Sequence, residues 1–203
     1  MNIKFVGCHP NNFQVGRGGK KIDQVVLHWI VGTLASADAT FQNPNRFASA
    51  TYGIGHTEIH QYVKEENTAF ANGNFDSNQR AVSIEHEGGP NLPISEDTYQ
   101  TSIKLVADIC KRNNIPCDRF HIRRHNEVSN TPTQCPGNLD IDRIVREAAK
   151  LVNVAPPTPP EDEFYRVMYK GKQLGAFRTN PITRIENLQK FADDIKAVVL
   201  GAK

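Results

Sequence analysis

The sequence predicts an α/β domain followed by a small α+β unit. Three observations carry that prediction. Val25 to Val31 is a continuous, β-rich apolar run with the length of a buried central strand, and Ala81 to Glu87, ended by Gly88-Gly89-Pro90, reads as a second strand. Tyr99, Ile103, Val106 and Cys110 recur at helical spacing, which makes 96–112 an amphipathic helix. The run Ala155-Pro156-Pro157-Thr158-Pro159-Pro160-Glu161-Asp162-Glu163 then reads as a semi-rigid, extended linker. The expected organisation is a domain over 1–153, a linker over 154–163 and a small C-terminal domain over 164–203.

Taken in order, residues 1–22 read as a loop-like lead-in. Gly16, Gly18 and Gly19 beside Arg17, Lys20 and Lys21 resemble a phosphate loop only superficially, because a strand follows the glycines instead of preceding them. Ala35 to Gln42 reads as a short helix, and Thr51 to Val63 as strand, turn, strand. Residues 64–80 read as polar loop with a turn at Asn72-Gly73. Ser95 followed by Glu96 and Asp97 is a helix start, and Asn113-Asn114 with Pro116 is its stop. Phe120 to Ile122 is a short strand. Asp140 caps a last helix whose apolar face is Ile144, Val145, Ala148, Leu151 and Val152. Beyond the linker, 164–169 and 173–178 read as strands around a Lys170-Gly171 turn. A helix over 182–195 and a strand over 197–200 are expected to follow.

Composition bounds the function. The chain has 203 residues, 38% hydrophobic and 23% charged, which describes an ordinary globular protein. A net charge of +2 and a pI near 8.3 are too mild to argue for nucleic acid as a partner. No apolar run approaches the ~20 residues of a membrane span. Met1 to Phe5 lacks the apolar region of a signal peptide, so synthesis in a cytoplasm with reduced thiols is expected. Cys8, Cys110, Cys117 and Cys135 contain no C-x-x-C, and Cys110 and Cys117 are expected to stay unpaired.

The chemistry concentrates in Arg123-Arg124-His125-Asn126-Glu127-Val128 and Thr133-Gln134-Cys135-Pro136-Gly137. These segments offer an imidazole and, ten positions later, a thiol at a tight turn. Both suit a borderline-soft divalent ion such as Zn²⁺. The best third ligand is His28, inside the first strand. Alone it would read as a hydrogen-bonded core histidine. Three protein ligands and one open position is a catalytic zinc arrangement. Strand alternation places Ser83, Glu85 and Glu87 on one face of the second strand. Either Glu85 or Glu87 could serve as general base near a metal-activated water. His56 and His60 are candidate ligands or substrate contacts, and Arg124 beside His125 is a further candidate substrate contact.

Leu27-His28-Trp29, Ser83-Ile84-Glu85-His86-Glu87-Gly88, and Arg124-His125-Asn126-Glu127-Val128 with Thr133-Gln134-Cys135-Pro136-Gly137 together resemble the zinc-dependent N-acetylmuramoyl-L-alanine amidases. That family includes amidase-type phage endolysins and peptidoglycan-recognition proteins. The likeness covers roughly 22–150, in the family's order. It implies a central mixed β-sheet flanked by helices, with zinc held by His28, His125 and Cys135. It also implies cleavage of the amide between the lactyl group of muramic acid and the L-alanine of the stem peptide in bacterial peptidoglycan. Glu85 matches the family's catalytic glutamate, with Glu87 the fallback. Many members carry a lysine two positions before the last ligand; here Thr133 stands there and offers a neutral donor. Tyr52 lies near the position of an active-site tyrosine in some relatives.

Rival readings remain to be separated. A relative that has lost a ligand binds peptidoglycan without cutting it, but all three presumed ligands are present here. A cysteine hydrolase with Cys135 as nucleophile and His125 as base leaves His28 idle. A zinc deaminase or a structural zinc finger lacks the required cysteine spacing. The modular layout fits a phage or prophage endolysin, made in the host cytoplasm and acting on the wall after release. A cytoplasmic wall-recycling amidase is the alternative. For the C-terminal piece, wall binding is expected, with homodimerisation the other role open to it.

Overall fold

The computed structural model describes residues 1–152 and the backbone of two strands within 165–177. The chain divides into two units, Met1–Val154 and Ala155–Lys203. The first unit is built on a six-stranded mixed sheet. Its strands are β1 (Ile3–Phe5), β3 (Gln24–Trp29), β4 (Tyr52–Gly55), β5 (Glu58–Gln61), β7 (Ala81–His86) and β8 (Ile122–Arg124), in the spatial order β1-β5-β4-β7-β3-β8. Only the β4–β5 hairpin pairs antiparallel; every other neighbour in the sheet is parallel. Parallel strands need both faces covered, and here helices cover both.

β3 lies between β7 and β8, as its unbroken apolar run predicts. One face of the sheet carries Val25, Leu27, Tyr52, Ile54, Val82 and Ile84 into the main core. Helices α3 (Glu96–Asn113) and α5 (Ile141–Val152) close that face with Ile103, Val106, Ile109, Ile144 and Ala148. Burying each of the valine and isoleucine side chains contributes roughly 1.5–3 kcal/mol. Helix α1 (Leu34–Gln42) covers part of the opposite face through Ala37 and Phe41.

The helix ends follow the expected signals. The Ser95 hydroxyl accepts from the Thr98 N–H at 3.2 Å. Asn114 closes α3 in the left-handed region at φ 53°, which its short polar side chain tolerates. The Asp140 carboxylate accepts from the Arg143 N–H at 2.9 Å and starts α5. Leu151 departs from the expected apolar face: it is 56% exposed, and Ile141 is buried in its place.

Two further corrections concern short elements. Residues 1–22 are not simply a loop-like lead-in. β1 extends the sheet edge, and β2 (Phe13–Gln14) pairs with β6 (Thr68–Ala69). Arg17 is buried and donates to the carbonyls of Gln79 at 2.8 Å and Ala81 at 3.1 Å, which ties this segment to β7. The polar stretch 64–80 also contains helix α2 (Phe75–Arg80), capped by the Asn74 side chain accepting from the Ser77 N–H. A one-turn helix, α4 (His125–Val128), carries His125.

In the second unit, β9 (Tyr165–Tyr169) and β10 (Lys172–Phe177) form an antiparallel pair with a register shift between Gln173 and Gly175. The expected linker, the helix over 182–195 and the strand over 197–200 lie outside the described residues.

Candidate metal centre and active site

His28 reaches the site because it faces away from the main core. Val25 and Leu27 fill that core, so alternation turns Val26 and His28 to the other side of the sheet. In the parallel register His28 stands beside Glu85 of β7, with Nδ1 3.9 Å from Oε1. His125 arrives at the start of α4, immediately after β8. Cys135 arrives on the following turn, tied down by its own carbonyl, which accepts from the Asn126 N–H at 3.1 Å.

The donor atoms of His28, His125 and Cys135 lie within 4.8 Å of one another. Sγ of Cys135 is 3.7 Å from Nδ1 of His28, and the two imidazole centroids are 4.4 Å apart. Both ring nitrogens of His125 and Oε2 of Glu85 are buried without a hydrogen-bond partner. An orphaned buried polar atom costs about 1–3 kcal/mol. One of these orphaned atoms, a ring nitrogen of His125, stands within the group of His28 and Cys135 donors, which fits a site for a cation. Two imidazoles and a thiol are the donor set of a borderline-soft divalent ion, and three protein ligands leave a position open.

Burial shapes the electrostatics. It holds His28 well below the usual imidazole range, and the neighbouring His125 pushes the same way. It lowers His125 too, so both rings are neutral and able to ligate. Burial pushes the Glu85 carboxyl up to about 8. It pushes the Cys135 thiol up to about 12, with the Glu85 charge adding to the effect. A divalent ion among these groups opposes the last two shifts by favouring carboxylate and thiolate.

Two supporting residues take roles at the site that the sequence reading did not assign them. Asn72 places Oδ1 3.0 Å from Nε2 of His28. Its amide nitrogen donates to Ser77 Oγ at 3.0 Å, and its backbone N–H donates to Asn78 Oδ1 at 2.7 Å. The carboxamide orientation is thereby set, so His28 donates from Nε2 and turns the Nδ1 lone pair toward Cys135. Trp29 is the second. Its backbone N–H points at Sγ of Cys135 at 3.4 Å. Gly137, at φ 59°, lets the turn lie on the indole: a Cβ there would come within 2.3 Å of the ring.

These groups open into a cavity of about 700 Å³. Thr133 lines it, and its Oγ1 accepts from the Cys135 N–H at 3.1 Å. Other sequence candidates fall elsewhere. Tyr52 is a correction: it pairs with Ile84, so it faces the main core, and its hydroxyl donates to Glu65 at 2.9 Å on the side away from Glu85. Glu87 shares the Glu85 face, but it accepts from the Leu34 N–H at 2.7 Å at the start of α1 and does not line the cavity. His56 is 3.5 Å from Glu87 on an exposed turn, and it too stands off the cavity wall. Arg124 contributes the residue before α4 and is not a lining residue. His60 is buried against Asp38 at 2.9 Å.

The sequence profile of a family described as N-acetylmuramoyl-L-alanine amidase matches residues 18–138. The chain belongs to this amidase family. A probable N-acetylmuramoyl-L-alanine amidase from Bacillus licheniformis is 27% identical over 162 residues, spanning 66% of this chain and 44% of the relative. The chain thus spans less than half the length of that curated relative. Among solved structures, the catalytic domain of XlyA superposes with a TM-score of 0.61 at 17% identity, covering 73% of this chain and 99% of that one. PlyL gives 0.62 at 16% identity, covering 76% and 100%. An AmpD derivative gives 0.60 at 20% identity, covering 72% and 93%. These likenesses show a shared fold, with the mixed sheet and its flanking helices. The amidase-family match covers β3, β7, β8 and the Cys135 turn, the elements that assemble the centre. No helix among the described residues is long and apolar enough to cross a membrane.

Proposed function

We propose that this chain is a zinc-dependent peptidoglycan amidase that cleaves the amide between N-acetylmuramic acid and the L-alanine of the stem peptide. The observation that carries this is the convergence of His28, His125 and Cys135 beside Glu85 in one cavity. Family membership supplies the bond and the polymer. His28, His125 and Cys135 would hold the ion. When bound, zinc supplies a Lewis acid that polarises the scissile carbonyl and brings the pKa of water from about 15.7 toward 7.

The chain's own residues supply the remaining steps. Glu85 takes the proton of the attacking water and returns it to the leaving amine. Thr133 offers a hydroxyl donor to the developing oxyanion; loss of one such donor typically costs about 3–4 kcal/mol. Asn72 holds His28 in the tautomer that ligates.

The test is release of new amino termini from purified peptidoglycan, identified by mass, with and without a chelator. New N-terminal L-alanine that disappears with chelator and returns with Zn²⁺ is the expected result. Sugar reducing ends, or a different amino terminus, would mean another bond is cut. Binding without release would make the chain a recognition module.

We further propose that the protein acts as a phage or prophage endolysin, made in a host cytoplasm and acting on the wall after release. The Pro-rich run before a second unit supports this reading. For residues 164–203 we propose wall targeting. A truncation ending near Val154 that binds and lyses walls as well as the full chain would remove that role and leave homodimerisation.

A further inference from the structure

A second cavity, of about 480 Å³, carries Arg17, Lys20, Lys21, Glu65 and Glu66 in its wall. Arg17 reaches the carbonyl of Ala81 at the start of β7, whereas Glu85 stands four residues along the strand. Roughly 13 Å of strand lies between those two residues. Arg17 is built into this wall. The Gly16 N–H before it donates to Asn67 Oδ1 at 2.9 Å, and the Thr68 hydroxyl donates to the Gly16 carbonyl at 2.7 Å. The arginine is only 8% exposed. Its Nε and Nη1 donate to the carbonyls of Glu65, Gln79 and Ala81. Its Nη2 is buried with no partner.

The partners of Arg17 are all neutral carbonyls, and no carboxylate pairs with it among the described residues. Glu65 shares the wall, but its carboxylate accepts from Arg112 at 2.8 and 3.0 Å and from Tyr52 at 2.9 Å. Burial holds the Arg17 guanidinium below its usual range, and the charge of Glu65 offsets that only in part. Lys20 pairs with Asp76 at 3.0 Å. Lys21 and Glu66, both exposed, form no ion pair among the described residues. Two unpaired cations thus face one unpaired, exposed carboxylate, which leaves the wall one positive charge in surplus. A buried cation with no counter-ion and an orphaned N–H group is costly, and a bound anion removes both defects.

The turn fixes the kind of anion. Gly18 and Gly19 take φ 58° and 79°, and the Lys20 N–H donates to the Arg17 carbonyl at 3.0 Å, so one tight turn carries all three cations. A planar carboxylate presents its acceptors in one plane. A phosphate group presents oxygens in several directions and suits donors that come from three separate side chains. We propose that the cavity walled by Arg17, Lys20 and Lys21 binds a phosphate group, either of a phosphodiester polymer or as the free ion. The anion is held by side chains, which separates the site from a glycine-rich phosphate loop at a helix start. The proposal does not rest on the amidase reading.

The experiment titrates the full-length protein calorimetrically with inorganic phosphate, with glycerophosphoglycerol as a diester, and with acetate. The variants are Lys20→Gln, Lys21→Gln and, as a control on α3, Lys104→Gln. Arg17 is kept because it also ties its segment to β7. Wild type is expected to bind a phosphate compound and to melt at higher temperature in its presence, with acetate about tenfold weaker. Lys21→Gln should weaken phosphate binding about tenfold, and Lys20→Gln by less because Asp76 already engages that lysine. Lys104→Gln should leave it unchanged. Tighter binding of the diester than of inorganic phosphate supports a site for a polymer; the reverse order supports one for the free ion. Phosphate held at the metal centre alone would keep its affinity in both lysine variants, and that result overturns the proposal. Absence of phosphate binding, or acetate binding as tight as phosphate, overturns it as well.

Discussion

The carboxamide oxygen of Asn72 lies 3.0 Å from Nε2 of His28 and assigns the ring's proton to that nitrogen. The opposite nitrogen is thereby left bare toward Cys135. Outer partners of this kind typically alter metal affinity by about 10–100-fold when removed. Asn72→Ala is expected to weaken zinc binding within that range, read by competition with a chromophoric chelator. Ser77→Ala should weaken it less, because Asn72 keeps its backbone bond to Asn78. An affinity unchanged in Asn72→Ala would show that His28 needs no orienting partner.

Zinc affinity should rise with pH, and Cys135 sets the slope. Burial raises its thiol to about 12, so binding near neutrality displaces one proton. His28 and His125 are held below the usual imidazole range and are already neutral there, so they add no slope. Apparent affinity is expected to climb at least about tenfold per pH unit between pH 7 and 8, with the raised Glu85 carboxyl adding to the Cys135 share. In Cys135→Asp the ligand is already ionised, and the slope should fall by one proton. An unchanged slope in that variant would place the displaced proton elsewhere.

Glu85→Gln should separate stability from turnover. Loss of a general base costs about 10²–10⁴ in rate, while zinc should still bind. The metal-free variant should also melt higher than metal-free wild type at pH 7. The Glu85 carboxyl, raised to about 8, destabilises the fold as pH rises above its unfolded value of 4.5. At pH 7 that amounts to at most about 3 kcal/mol, and it fades as pH falls to 4.5. Thermal melts at pH 4.5 and 7 check both the sign and the window. Normal cleavage by Glu85→Gln would transfer the base role to Glu87 or to zinc alone.

Acid should unfold the protein partly through His86. This ring is fully buried, bonded to the His28 carbonyl and to Ser102 Oγ at 2.7 Å each, and burial lowers it to about 4. The unfolded chain takes up that proton first, as pH falls below 6.5. The stabilising difference is intact above pH 6.5 and is lost progressively down to about 4, a cost of about 3 kcal/mol. Denaturant midpoints across that range should fall with a slope that is one proton smaller in His86→Gln. An identical slope in the variant would acquit His86.

Much of this was legible along the chain. β3 announced itself by an apolar run and β7 by strand alternation, α3 and α5 by helical periodicity with Ser95 and Asp140 at their starts. His28, His125 and Cys135 were legible because few residue types ligate soft divalent ions and their spacing matched one chemistry. Elements too short to show a period were not legible: β1, β2, α2 and α4 span two to six residues. Arg17 looked like part of a loose glycine loop because its partners are backbone carbonyls of distant segments, which leave no mark in composition.

The sequence by itself determined which residues could form strands and helices, and which side chains could hold a metal. Local periodicity and donor chemistry are properties of the residues themselves. The tertiary structure decided which of them meet. Tyr52 and Glu85 are both strand residues near the centre of the sheet, yet the register that pairs Tyr52 with Ile84 and Gly53 with Glu85 sends the tyrosine to the opposite face. Asn72 became a partner of His28, and Arg46 a lining residue of the cavity, only when loops distant in sequence closed around one point. Such pairings depend on long-range strand register and buried hydrogen bonds, and neither has a local period to read.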